Sequence, residues 1–470
     1  MTIMMLLRAF LLLACLMGAL PAWGRLRAGA AAVDITPVEW PVRVIGNFGL
    51  TMADSAHDPL HARAVVLEDA GVRIAIVLID SCYVKREEAD EIKAAASKRT
   101  GIPAARMLIS ATHTHSAPPS RAADGNAFEA RYVRRLVEQT AEAIAQANSR
   151  LAPARIGWGS TPVPEELFNR RWFRKPGTVP PSPFNATTDI VQMNPPAASP
   201  DLLHPAGGTD PGFSVVSIQA ADGKPLALLA NYSLHYVGGV PGKEISADYF
   251  GEFSRALAAE LAPGDKGFVA MLTNGTSGDV NNIDFIHPRP RAEPFERIRA
   301  VAGKLAGHAA RIARAAEYRD AAPVKMAEAE LQLAYRRPTA EQAQFAKAAL
   351  AESDEKKLPR NAKAYAERAE KLAAGPAHAM LKLQAVSIGG LGIAAIPCET
   401  FTEIGITLKE LSPLRPTFTI ELANGHYGYL PTPRHFDLGG YETWLGTNNL
   451  ERDASVKITR TLLDLFAKVR

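Results

Sequence analysis

Cysteine is scarce: the 470-residue sequence holds three, Cys15, Cys82 and Cys398. Two cysteines beyond the N-terminal stretch make no disulfide framework, and neither sits in a CxxC zinc pattern. Whether Cys82 and Cys398 pair stays open at this level. Long blocks of one charge are also missing, and the formal net charge is only +4, which gives no basis for nucleic-acid binding. The GxSxG elbow of serine hydrolases does not occur. No internal repeat is found, and no linker divides the chain. Beyond the N-terminal stretch, no apolar run reaches the ~20 residues that cross a bilayer. What remains, 47% hydrophobic and 22% charged, is the composition of an ordinary globular protein.

The N-terminal stretch reads as an export signal. Arg8 precedes an apolar run from Ala9 to Leu20, followed by Pro21-Ala22-Trp23-Gly24. Small residues at 22 and 24 suit cleavage after Gly24. The run is too short for a membrane anchor, and Leu13 is an awkward neighbour for a lipoprotein cut before Cys15. The expectation is a signal peptide over residues 1–24, one domain over 25–470, and an exported (periplasmic or secreted) protein.

Strands and helices alternate along that domain, which predicts an α/β fold of mixed sheets packed with flanking helices. Arg73 to Asp80 is almost wholly apolar and reads as a strand buried on both faces. Glu87 to Thr100 has helical spacing and stops at Gly101. Met107-Leu108-Ile109 is a further strand, and Phe128 to Asn148 a long amphipathic helix. From Gly157 to Pro211 the pattern dissolves into a Pro/Gly/Asn-rich excursion. A hairpin follows about Asp222-Gly223, then a helix to Ala262, a strand from Phe268 to Leu272 and a helix over 291–317. Residues 338–376 are Ala/Glu/Lys-rich with one break at Pro359, which predicts an inserted helical hairpin with a solvated face. Next come a hairpin through Gly389-Gly390, a helix to Leu411, a strand from Phe418 to Leu422 and a closing helix.

Chemistry-bearing residues recur where apolar strands end. Ser110-Ala111-Thr112-His113-Thr114-His115-Ser116 follows the strand at 107–109. In an extended backbone alternate side chains share a face, so His113 and His115 are expected to point the same way. His235, Glu399 and Tyr429 each follow a further strand, and open α/β sheets bind ligands beyond strand ends. Two imidazoles, a carboxylate and a phenol oxygen make a donor set suited to zinc.

These segments resemble the neutral, non-lysosomal ceramidase family, specifically its N-terminal zinc domain. The resemblance rests on Val33-Asp34-Ile35-Thr36-Pro37, the segment from Ser110 to Ser116, Asn169-Arg170, Asn231-Tyr232-Ser233-Leu234-His235, Ser246-Ala247-Asp248 and Gly278-Asp279-Val280. It continues through Ile396-Pro397-Cys398-Glu399-Thr400-Phe401-Thr402, Tyr429-Leu430-Pro431-Thr432 and Tyr441-Glu442, in the family's order. It implies zinc on His113, His235, Glu399 and Tyr429, with catalytic support from His115, Arg170 and Tyr441. The implied reaction is cleavage of an N-acyl amide by metal-activated water. The implied partner is a small-molecule or lipid-like acyl substrate, with room for peripheral membrane contact and no statement about oligomeric state. Departures are specific. The family's serine after Gly-Asp-Val is Asn281, so chemistry that needs that hydroxyl is excluded. Cys398 replaces a glycine, His426 and Tyr427 crowd the Tyr429 loop, and no counterpart of the family's C-terminal immunoglobulin-like module is expected. Two alternatives stand beside the amidohydrolase: a zinc hydrolase of an ester or other bond, and a non-catalytic zinc-bearing binding protein.

Overall fold

The computed structural model describes residues 26–46 and 49–470; the expected signal peptide lies outside the described residues. Eight strands form the larger sheet: β1 (Arg27–Asp34), β2 (His61–Asp69), β3 (Val72–Ile79), β4 (Met107–Ala111), β5 (Ala152–Pro162), β6 (Gly212–Ala220), β7 (Pro225–Tyr232) and β8 (Val269–Asn274). Their order is β8-β7-β6-β5-β1-β2-β3-β4. A second sheet has the order β9-β10-β11-β12, built from Val324–Ala334, His378–Ile388, Leu391–Ile396 and Thr417–Glu421. Neighbours are antiparallel except for three parallel pairs, β3 with β4, β7 with β8 and β11 with β12.

Strand β3 shows how the layers arise. Its even residues Ile74, Ile76 and Leu78 join a core shared with Val386, Leu391, Ile393 and Phe418 of the second sheet. Its odd residues Ala75, Val77 and Ile79 face Ile92, Leu136 and Ile144, which lie on helices α1 (Arg86–Thr100) and α2 (Ala127–Ser149). The period-two alternation therefore feeds two cores, as a strand buried on both faces must. At the other end of the same sheet, helices α3 (Asp248–Leu261) and α4 (Glu296–Ala315) cover β6 to β8. The outer face of the second sheet packs on α7 (Thr402–Leu411) and α8 (Ala454–Val469). The result is two sheets face to face between two helical layers.

Most expected elements are present within a residue or two. Gly101 closes α1 in the left-handed region at φ 73°, where a glycine carries no steric penalty. Two strands of the main sheets, β5 and β9, and a smaller sheet escape the sequence reading. In the expected excursion from Gly157, β5 continues to Pro162 in register with β6, and a three-stranded sheet follows from Arg171–Arg174, Val191–Met193 and Leu202–Pro205. β9 is a half-exposed edge strand in which only Val324 and Leu333 are buried, so it carries little hydrophobic signal. The inserted hairpin forms as helices α5 (Ala340–Ala351) and α6 (Ala362–Ala374). It has a buried side as well as the expected solvated face, because Ala346, Ala349, Ala366 and Ala369 pack against Leu445 and Tyr365 is fully enclosed.

Candidate metal centre

The three parallel pairs direct their carboxyl ends to one region. The chain leaving β4 supplies His113 and His115, that leaving β7 supplies His235, and that leaving β11 supplies Glu399. Contrary to the sequence expectation, Tyr429 does not directly follow one of these strands. It lies eight residues beyond β12, in a two-residue strand that pairs in parallel with Glu399–Thr400, Glu399 opposite Tyr429. The reason His113 and His115 meet also needs correction. The strand ends at Ala111, and His113 has φ 72°, so the two rings converge through a turn rather than a pleat. That turn is fixed by the amides of Thr112 and His113 donating to the carbonyls of Ile79 and Ser81.

At the centre, His113 Nε2 stands 3.0 Å from His235 Nε2 and 3.3 Å from Glu399 Oε2, with His235 Nε2 3.8 Å from the same oxygen. The opposite edges of both rings face carbonyls: His113 Nδ1 lies 2.7 Å from Cys82 O and His235 Nδ1 3.0 Å from Ser277 O. A carbonyl only accepts, so each Nδ1 carries a proton, and in its neutral form each ring turns its Nε2 lone pair inward. Two lone pairs 3.0 Å apart beside a carboxylate oxygen repel unless a positive charge lies between them. Glu399 Oε2, buried and without hydrogen-bond geometry to either ring, completes the donor set. Two nitrogens on one tetrahedral zinc stand ~3.4 Å apart, given Zn–N of ~2.1 Å. The separations here fit.

Burial opposes charge on all four groups of the cluster. His115 and His235 are held well below the usual imidazole range by burial and by the charge of His113. At His113 burial is outweighed by Cys82 and Glu399, which raise it well above that range, and Glu399 is correspondingly lowered by His113. The protein thus draws one positive charge to the point where the Nε2 atoms meet. A proton on His113 satisfies that demand, and so does a divalent cation whose ligands are already gathered.

His115 lies at the edge of the cluster, Nε2 3.2 Å from His113 Nε2, its ring stacked on Tyr236 at 3.8 Å. Its other flank rests on Gly46, where a Cβ would come within 2.6 Å of the ring. Tyr429 and Tyr441 meet edge to face at 5.6 Å and line one cavity with His113, His115 and Glu399, of volume about 610 Å³. Arg170 is not on that wall. It donates to Glu442 Oε1 at 2.9 Å and to the Gly278 carbonyl at 2.8 Å, with its guanidinium 5.2 Å from the Tyr429 ring. Asn281 is elsewhere again: its amide donates to Asn194 Oδ1 at 2.6 Å, and its Oδ1 accepts from the Ile283 amide.

Several supporting residues have no signature in the sequence. Ser277 accepts from His235 and donates to Glu421 Oε1 at 2.6 Å, and Glu421 Oε2 accepts from the Thr400 amide beside Glu399. His426 Nε2 lies 3.1 Å from Glu399 Oε1 and its Nδ1 3.2 Å from Lys85 Nζ. An ammonium only donates, so Nδ1 accepts and Nε2–H donates to Glu399. Such outer hydrogen bonds orient metal-ligating groups. Their partners are 21 to 341 positions apart, so only the folded chain joins them. The pairing of the thiols, left open by the sequence, is settled: Cys82 and Cys398 are both free and buried.

The fold is that of the neutral ceramidases. The chain aligns over 95% of its length with 74% of a neutral ceramidase from Pseudomonas aeruginosa, at TM-score 0.68 and 19% identity. It aligns over the same share with 75% of a ceramidase complexed with C2, at TM-score 0.71 and 19% identity. No family model and no curated protein sequence matches it. No helix among the described residues is long and apolar enough to cross a membrane.

Proposed function

We propose that this protein is an exported, zinc-dependent hydrolase of the neutral-ceramidase type that cleaves the amide bond of an N-acyl, lipid-like substrate. The observation that carries the reading is the convergence of His113 Nε2, His235 Nε2 and Glu399 Oε2 within 3.8 Å, in a chain with the ceramidase fold. His113, His235, Glu399 and Tyr429 would hold the ion. Bound there, zinc supplies a Lewis acid and a water acidified towards pKa ~7.

The remaining roles belong to the chain. Tyr441 has its phenol pushed well up by burial, so it stays protonated at neutral pH and donates to the oxygen of the scissile carbonyl as charge develops. Arg170 acts from behind: its charge bears on Tyr429 and keeps the phenols in place, rather than bonding substrate itself. His115, kept neutral and held between Tyr236 and Gly46, takes a proton as water adds to the acyl carbon. It returns that proton to the nitrogen as the C–N bond breaks, leaving a carboxylic acid and an amine. A second cavity of about 350 Å³ shares Tyr441 with the first, with Val179, Pro180, Val191, Met193 and Trp444 on its apolar side and Asp189, Gln192, Asn194 and Arg360 on its polar one. It gives an acyl chain an apolar wall beside the reacting carbonyl.

The test is hydrolysis of N-acyl amides by the purified protein, with metal content measured alongside. Activity that a chelator abolishes and zinc restores is expected. Full activity in metal-free protein, or none on any amide with zinc bound, contradicts the reading.

A further inference from the structure

Resting on that reading, we propose that the substrate carries an anionic oxygen group, a carboxylate or sulfonate on its amine half, which is read by Arg368 with Lys85 in the cavity that His113, His115 and Glu399 line. The charges that line the cavity are Arg43, Lys85, Arg368 and Glu399. Arg43 is neutralised by Glu129, with two hydrogen bonds of 2.7 and 3.1 Å. Glu399 faces the imidazoles. That leaves Arg368 and Lys85, neither of which has a carboxylate partner among the described residues.

Arg368 is also held in place. Its guanidinium lies 4.8 Å above the ring of the buried Tyr365, whose hydroxyl is 2.5 Å from Thr447 Oγ1. Its stem lies on Gly446, where a Cβ would come within 2.9 Å of Arg368 Cβ, and Gly446 itself has φ 90°. A side chain there would be strained and would displace the arginine. The guanidinium also hydrogen-bonds the Tyr365 hydroxyl, and its remaining in-plane N–H donors suit a carboxylate. Lys85 has spent donors on His426, which bonds Glu399, and supplies charge from that side of the cavity. The inserted hairpin thereby acquires a purpose: its alanine-rich packing against Leu445 fixes the helix that brings Arg368 to the site. A neutral head group would leave this cation without a carboxylate or sulfonate partner.

The test compares N-lauroylglycine and N-lauroyltaurine with the neutral N-lauroylethanolamine, in wild type, Arg368→Gln and Arg368→Lys. Binding is measured calorimetrically on zinc-free and zinc-loaded protein, and kcat/KM on the loaded protein. Wild type should prefer the anionic amides by tenfold or more, with glycine against taurine separating carboxylate from sulfonate. Arg368→Gln should erase the preference through KM, weakening anionic-ligand binding about tenfold while leaving the ethanolamide unchanged, and Arg368→Lys should restore part of it. Equal binding of charged and neutral amides by wild type, or equal losses on both in Arg368→Gln, would overturn the proposal. If the ethanolamide is hydrolysed well without any anionic preference, this inference fails and the amidohydrolase reading stands. If anionic amides bind through Arg368 and no amide is cleaved, the reverse holds.

Discussion

At the scale of single residues, groups that would touch the reacting atoms part from groups that hold them in place. Tyr441→Phe removes one proposed donor to the developing oxyanion, and a loss in kcat of about a hundredfold is expected; unchanged steady-state kinetics would remove the assignment. Asn281 behaves differently, since both ends of its amide are bonded within the protein. Asn281→Ala should lower stability by about 1 kcal/mol and leave turnover within a few-fold, measured by urea unfolding and kinetics on one sample. A collapse of turnover with stability intact would place this residue in the chemistry after all. The proposed ligands are legible in sequence, because histidines and a glutamate leaving buried strands need a partner for their polar atoms. Their supports are not. Nothing near Glu421 or Ser277 announces that a carboxylate and a hydroxyl 144 positions apart steady the imidazole of His235, and the role of Arg170 behind Tyr429 depends on a side-chain direction that spacing cannot give.

At the scale of elements, regular hydrophobic period is the readable quantity. β3 and α2 carry it strongly and lie close to their expected ends. β5 and β9 do not, one being rich in Gly and Pro, the other lying half exposed at an edge. The packing of α1 against β9 also leaves a measurable strain. Lys93 of α1 is buried, its Nζ has no hydrogen bond and Glu328 of β9 is 3.8 Å away. Burial pushes its pKa down to about 7, against ~10.4 in an unfolded chain. Between those values the unfolded chain binds more protons, so this group makes stability rise with pH, at no more than ~1.4 kcal/mol per pH unit. Below pH 7 both states are charged and the burial cost is fully present. Lys93→Met should therefore raise stability near neutral pH by about 1–4 kcal/mol and remove that slope. Denaturant unfolding from about pH 6 to 9.5, which spans most of the interval between the two values, measures both, and a destabilised variant with the slope retained would contradict the argument. Glu328 keeps Gln384 as a partner at 2.7 Å in that variant.

At the scale of the whole molecule, two sheets pressed face to face bring three sets of strand ends to one edge, and the site follows from that topology. The alternation of strands and helices implies an α/β fold; which strands face each other depends on pairings between distant segments that no local pattern records. Export is a prediction at this scale. N-terminal sequencing of the secreted or periplasmic protein should begin at or near Arg25, and recovery of Met1 from cytoplasm alone would refute it. The central claim is that the gathered imidazoles and carboxylate bind zinc, and its most direct measurement is zinc per chain in purified wild type, His235→Ala, Glu399→Gln and His115→Ala. About one zinc in wild type and His115→Ala, with the metal lost from the other two, is the predicted result. No stoichiometric metal in wild type, or equal metal in all four proteins, would contradict it.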